Sequence, residues 1–311
     1  MVKIKNIELK SNLILAPMAG FSDVAFRNLC LKNGAGLVTT EMVSSKALSY
    51  GNKKTEELLV TLDDEVPKAV QIFGHDPEAM ADAVKNPLLQ KFDIIDINMG
   101  CPAPKIVRNG DGSALLKNFE LAEKIIRACT KNTDKPVTVK FRIGYGASSN
   151  VATEFAQLCE RAGAAAITIH GRTTAQGYAG NVNYDAIAQA KKAVKIPVFA
   201  NGNCLNREDY LKILNETGAD GIMIGRGALG RPEIFNEILT GKETKINKLD
   251  QIKFHYETLL KFFHERQVVL MMRGHISSYM KGKYKNVEVL KSILKMETYD
   301  EILQTLTKNM A

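Results

Sequence analysis

Eight short apolar runs, each followed by a longer segment of different periodicity, constrain this chain more than any other feature. They fall at residues 13–16, 37–40, 68–73, 92–98, 136–141, 165–170, 197–200 and 221–224. Segments between them, such as 78–90, 121–131, 153–162 and 184–194, space their apolar residues as helices do. Two such segments stop at Gly163 and Gly218, the residue type that takes the left-handed turn after a helix. Strands buried on both faces and joined by helices require a parallel sheet. Eight such units over about 225 residues suit a closed (β/α)8 TIM barrel. An open doubly wound sheet is the rival. Against it, no GxGxxG follows the first run, and polar residues follow all eight, as the mouth of a barrel demands.

The pattern changes after Arg231-Pro232. Glycine thins out, and residues 249–264 and 268–281 read as long amphipathic helices. The expected organisation is a barrel domain, residues 1–241, and a C-terminal all-helical domain, residues 242–311. Net charge is +8, and residues 242–311 hold 13 Lys/Arg against 8 Asp/Glu. A basic tail is either a solubilising surface or a docking face for a polyanion, nucleic acid being the usual one. The five cysteines are odd in number and show no CxxC, which argues against a disulfide framework or a zinc site. No apolar run approaches the roughly 18 residues of a membrane span. The N-terminus lacks the apolar core of a signal peptide. A cytoplasmic monomer with no metal is the expectation.

The strand ends supply the chemistry. In order they carry Pro17-Met18-Ala19-Gly20, Glu41-Met42, Gln71, Asn98 with Cys101, Lys140 with Arg142, His170-Gly171-Arg172, Asn201-Gly202-Asn203 and Gly225-Arg226-Gly227. Asn-Gly-Asn and Gly-Arg-Gly close strands seven and eight, where barrels often hold a phosphate. Cys101 stands in a Gly-Cys-Pro turn at a strand tip, which places its thiol for chemistry rather than packing. Lys140 alternates with Val137, Val139 and Phe141, so it shares the other face with Thr138 and Arg142. A lysine there needs an electron-rich ligand, or else an ion pair with Glu41 or Asp96.

These residues also carry a resemblance. LAPMAGFSDVAFR, TEMVSSKAL, VQIFGHDPEAMADA, DINMGCPAPKIVRNGDGSALL, VTVKFRIG, ITIHGRTTAQGYAG, VFANGN and ADGIMIGRGALGRPEIF occur in that order. Together they resemble the tRNA-dihydrouridine synthase family, most closely its bacterial B-type branch. Arg273, His275, Ile276, Tyr279, Lys281 and Gly282 resemble the family's C-terminal RKHxxWYxKG signature.

The resemblance implies a barrel binding flavin mononucleotide (FMN), reduced by NADPH, joined to a helical tRNA-binding domain. Pro17, Met18 and Ala19 would lie against the flavin ring. Gln71, Lys140 and His170 would contact its polar edge and phosphate side. Asn201, Gly202, Asn203, Gly225 and Arg226 would hold the phosphate. Hydride would pass from flavin N5 to C6 of a uridine in the tRNA D-loop, with Cys101 giving the proton to C5. Asn98, Arg108, Arg172, Arg273, His275 and Lys281 would contact the tRNA. Lys281, Lys283 and Lys285 with Tyr279 and Tyr284 would form a basic and aromatic patch. Three positions depart from the family pattern: Asn203 replaces aspartate, Gly274 lysine and Ser278 tryptophan. The rival functions are an FMN barrel oxidoreductase acting on a small molecule, dihydroorotate dehydrogenase-like or ene-reductase-like, and a non-catalytic RNA-binding protein.

Overall fold

The structure, a computed structural model, describes residues 2–281 and 287–310. Eight parallel strands close into a barrel: β1 (Leu13–Leu15), β2 (Leu37–Ser44), β3 (Lys68–Phe73), β4 (Ile94–Met99), β5 (Val137–Arg142), β6 (Ala166–His170), β7 (Val198–Asn201) and β8 (Gly221–Ile224). β8 pairs with β1 and completes the ring. The (β/α)8 reading of the sequence is therefore what the chain adopts, and all eight apolar runs are barrel strands.

The alternation on β5 shows why. Val137, Val139 and Phe141 are fully buried against the surrounding helices. Phe141 packs on Phe155 at 4.9 Å between ring centroids, and Phe155 in turn meets Phe119. Thr138, Lys140 and Arg142 point the other way, into the barrel. A short hairpin, Lys3–Ile4 with Ile7–Glu8, caps the N-terminal end. Its Ile4, with Leu9, joins Ile14, Ala69, Ile94, Ala166 and Phe199 in a separate apolar plug. The bottom is thus sealed, and only the other end is available to a ligand.

Side-chain caps start many of the helices: Asp23 for α1 (Val24–Lys32), Asn118 for a helix at Phe119–Lys131, Asn183 for one at Tyr184–Ala193 and Asn206 for one at Arg207–Thr217. Several expected boundaries move, the helices expected over 249–264 and 268–281 running Lys248–Leu260 and Glu265–Tyr279, and two of the shifts have a plain cause. The helix expected over 78–90 runs Pro77–Lys85 and gives way to a single 3-10 turn at Pro87–Leu89. Pro87 forces the preceding Asn86 into an extended conformation, which a continuous helix cannot hold. β2 outlasts its apolar run by four residues, because a register shift between Thr39 and Met42 lets the strand resume pairing with β3 beyond Glu41.

Two long helices, α2 (Lys248–Leu260) and α3 (Glu265–Tyr279), build a second apolar cluster with two shorter C-terminal helices. That cluster includes Val24 and Ala25 of α1, so the tail is packed onto the first barrel helix. Beside it lies a buried ion pair, Arg27 with Glu65. Arg27 also donates to the carbonyls of Ser22 and Val60, both at 2.7 Å. Removing one member of such a pair strands the other charge. Glu65→Ala is expected to cost about 3–5 kcal/mol of stability, read as a lower urea midpoint at unchanged slope.

Candidate active site

The thiol is held by its backbone. Asn98, near the end of β4, accepts the N–H groups of Gly100 at 3.1 Å and Cys101 at 2.9 Å on one side-chain oxygen. Ser113 donates its backbone N–H and its hydroxyl to the Cys101 carbonyl, at 3.1 and 2.9 Å. Gly112, with φ of +59°, permits this: a Cβ there would stand 2.9 Å from the Cys101 carbonyl oxygen. Cys101 itself is partly exposed at the mouth. Burial pushes its thiol up, only partly offset by the Ala103 backbone and the charges of Arg142 and Lys140. It therefore keeps its proton at neutral pH.

Across the mouth, Asn201 joins two groups. Its Nδ2 donates to the Met223 carbonyl at 2.8 Å, which turns Oδ1 toward the pocket. That oxygen accepts from Lys140 Nζ at 3.1 Å and lies 2.7 Å from His170 Nδ1. His170 must then carry its hydrogen on Nδ1. Its Nε2 is buried without a hydrogen-bond partner. Burial, with Lys140 and Arg142 nearby, holds the imidazole down to about 2, so it is neutral.

Burial and Arg142 bring the Lys140 ammonium down to about 8. The ion pairs considered for it do not form. Asp96 is occupied by Gln71 and Thr138, and Glu41 accepts the Gly20 N–H at 2.7 Å. Among the described residues no carboxylate lies within 4 Å of Lys140.

At the ends of β7 and β8, Gly202 (φ +140°) leaves room for Val182, and Asn203 takes a left-handed φ of +54°. Asparagine tolerates that conformation, and its Oδ1 accepts from Arg172 at 3.0 Å. The departure from aspartate is thus a neutral acceptor for Arg172. Arg226 is exposed, with no carboxylate within 4 Å among the described residues. Gly225 faces Met18 of the β1 loop: a Cβ there would lie 3.6 Å from the methionine sulfur. Met18 thereby meets the β8 loop at the seam where the barrel closes, with Pro17 half-buried and Ala19 exposed beside it. Gln71 and Asn98 join through their amides at 2.8 Å.

Several expected tRNA contacts come out differently. Arg172 is 3% exposed, and its guanidinium is directed at the carbonyls of Ala179 and Gly180 and at Asn203. It ties the loop at residues 179–180 to Asn203, while its Nη1 is buried without a hydrogen-bond partner. His275 is fully buried, with Nε2 2.8 Å from Asp23. Tyr279 is 2% exposed, its hydroxyl 3.1 Å from His255 Nδ1, so it is no surface stacking ring.

His255 Nε2 also meets Asp23, at 3.1 Å. Burial would raise the Asp23 carboxyl, but His255 and His275 hold it well below the usual range. The ligand atoms of Asp23, His255 and His275 converge as a metal triad would. Both nitrogens of His255 are already engaged, and His255 by hydrogen bond and His275 by close approach latch the C-terminal helices to Asp23, the cap of α1. Gly274 fits the same latch, since a Cβ would come 3.3 Å from the Phe21 ring packed edge-on against His275. Ser278 turns its hydroxyl back to the Gly274 carbonyl, and its own carbonyl lies where any side chain at Gly230 would go.

Arg108 is exposed at the end of a short helix, Pro104–Arg108, and Arg273 is half-buried with an unpartnered Nε. Lys281 is exposed, beside a cleft shared with Arg207 and Arg231. Gly282, Lys283, Tyr284 and Lys285 lie outside the described residues.

One mouth residue, Tyr178, was not foreseen, and Arg142, expected at the mouth, takes a role the sequence did not show. Tyr178 is 58% exposed, with its ring 4.7 Å from the Arg226 guanidinium, 5.4 Å from that of Arg142 and 6.2 Å from His170. An exposed aromatic in the AQGYAG loop was the available signal. Arg142 donates to the carbonyls of Gly100, Thr173 and Gly177, tying the cysteine turn to the Tyr178 loop.

A parallel barrel that gathers a partly exposed thiol, an ammonium with no carboxylate within 4 Å and an orphaned imidazole nitrogen at its open end is the ligand site of a (β/α)8-barrel enzyme. Solved structures of similar architecture include a morphinone reductase mutant in complex with tetrahydroNAD (TM-score 0.56, 12% identity, 77% of this chain and 89% of that one). A variant of NCR from Zymomonas mobilis is also similar (TM-score 0.56, 14% identity, 80% and 93%). At these identities the likeness is one of fold. The family model described as Dihydrouridine synthase (Dus) matches residues 14–311, and the chain belongs to that family. It is 41% identical over 297 residues to a probable tRNA-dihydrouridine synthase of Rickettsia conorii, covering 93% of this chain and 90% of that one. It is 41% identical over 287 residues to tRNA-dihydrouridine synthase B of Pseudomonas putida, covering 90% and 85%. No helix among the described residues is long and apolar enough to cross a membrane.

Proposed function

We propose that this protein reduces the C5–C6 double bond of a uridine in the D-loop of tRNA, with FMN as its resident cofactor and NADPH as reductant. The observation that carries the reading is the protonated Cys101 thiol at the mouth of a barrel whose Lys140 ammonium has no carboxylate partner. An anionic, electron-rich ring system fits these residues. Lys140 and Arg226 have no carboxylate within 4 Å among the described residues, His170 Nε2 is a buried acceptor awaiting a donor, and the glycine turns after β7 and β8 would let backbone N–H groups approach a phosphate. Bound there, the flavin would supply hydride chemistry.

The chain's own residues do the rest. Asn201 holds Lys140 and His170 toward the ligand. Cys101 holds a proton for C5, and its raised pKa suits a donor rather than a nucleophile. Asn98 fixes the cysteine turn beside the target base. The uridine must leave the tRNA stack to enter such a mouth. Arg108, Arg273 and Lys281 would take phosphates, and the helical domain would orient the tRNA.

Purified protein is expected to be yellow, to bleach with NADPH under anaerobic conditions, and to recover its colour on adding tRNA that lacks dihydrouridine, with dihydrouridine appearing in that tRNA. Protein that stays colourless in excess FMN would refute the cofactor. Recovery with an enoate or orotate but not with tRNA would instead favour a small-molecule oxidoreductase.

A further inference from the structure

We infer that Asp96, which touches none of the reacting groups, positions the Cys101 thiol through the side-chain amides of Gln71 and Asn98; the inference rests on Cys101 being the proton donor. Asp96 is 4% exposed, on β4 within the barrel. Its Oδ1 accepts the Thr138 hydroxyl at 2.6 Å, and its Oδ2 accepts Gln71 Nε2 at 2.6 Å. Gln71 Oε1 accepts Asn98 Nδ2 at 2.8 Å. Asn98 Oδ1 is thereby left to accept the N–H groups of Gly100 and Cys101.

Each amide has one donor end and one acceptor end, so each link dictates the next. Burial raises the Asp96 carboxyl, while the Thr138 and Gln71 hydrogen bonds and the Lys140 charge draw it back; as a carboxylate it only accepts. It compels Gln71 to turn its NH2 inward and its carbonyl outward. That carbonyl selects the NH2 of Asn98, and the Asn98 oxygen then faces the turn. Reversing Gln71 would reverse Asn98 as well. Two backbone N–H donors would then confront an NH2 group, and the cysteine turn would lose its clamp. The Gln71 backbone is independently fixed, its N–H donating to the Thr40 hydroxyl at 3.1 Å, so the freedom lies in the amide. Asp96 sets that freedom from the inner end of the chain of bonds.

The test uses the full FMN-loaded chain and two variants. Asp96→Asn keeps the shape but offers Gln71 a donor as readily as an acceptor. Thr138→Val removes the carboxylate's other bond and leaves Gln71 directed. Cys101 alkylation by iodoacetamide, followed on its peptide by mass spectrometry, reports the thiol without needing any substrate.

Asp96→Asn is expected to alkylate at least about threefold faster as the turn loosens. Its kcat for tRNA is expected to fall about tenfold or more, with KM changed by less than about twofold. Thr138→Val is expected to melt earlier yet keep wild-type alkylation and kcat. Wild-type behaviour of Asp96→Asn, or an equal loss in Thr138→Val, would overturn the inference. If Asp96→Asn fails to fold, Gln71→Met cuts the same relay at its middle link, and unchanged alkylation there would overturn it equally. A wild-type protein that never reduces tRNA would refute the proposed function, while the alkylation comparison still decides the positioning role.

Discussion

Replacing Cys101 by alanine is expected to leave a yellow protein that binds tRNA and reacts with NADPH normally, yet saturates uridine about 10²–10⁴-fold more slowly. The clamps on this turn act on its backbone, not its side chain. Asn98 accepts the Cys101 N–H, and Ser113 holds the Cys101 carbonyl. Alanine keeps both, so the loss reports chemistry rather than collapse. A serine in the same place retains shape and a proton, but its hydroxyl is a far weaker acid than a thiol, so Cys101→Ser should recover little. The decisive measurement is the single-turnover rate at which tRNA restores the oxidised flavin spectrum, with the preceding NADPH half-reaction as internal control. Wild-type reoxidation in Cys101→Ala would remove the thiol from the mechanism.

What the sequence reveals depends on whether a signal is local. The alternation Val137, Val139, Phe141 against Thr138, Lys140, Arg142 is a local property of β5, and it puts Lys140 on one face with Thr138 and Arg142 before any contact is known. The same holds for the eight apolar runs, since each must be buried on two faces.

His275 and Tyr279 fare differently. As parts of a signature they read as tRNA contacts. In the fold they share the buried face of α3 with Val268, Val269, Met272 and Ile276. That spacing of three and four residues was present in the sequence, but the partners that make it a core face were not. Asp23 lies more than 230 residues before His255, and nothing local announces the pairing. Tyr178 was obscured for the same reason, because its importance comes from Arg142, Arg226 and His170, each on a different strand end. The Asn201 junction of Lys140 and His170 likewise exists only once β5, β6 and β7 lie side by side.

Lys140 gives the second large effect. An ammonium buried with one amide oxygen and no carboxylate is costly to hold, and burial with the neighbouring Arg142 brings it down to about 8. In the flavin-free protein Lys140 is therefore charged below about pH 8 and neutral above. A ligand that needs the ammonium binds best on the acid side and loses affinity as pH rises, by up to about tenfold per unit. Ligand phosphate ionises near pH 6, so a scan from pH 7 to 9.5 isolates the lysine. Quenching of flavin fluorescence during titration of flavin-free protein with FMN gives Kd at each pH. The wild type is expected to weaken across that window. Lys140→Met fills the same space without charge. It is expected to bind about 10- to 100-fold more weakly at pH 7, the worth of a charge-assisted hydrogen bond, and to show no dependence on pH. The methionine also relieves an expensive buried charge, so its fold should be no less stable than the wild type. Weak binding in Lys140→Met would therefore mark a lost contact, not a damaged barrel. A flat wild-type profile that matches the variant would take Lys140 out of the flavin site.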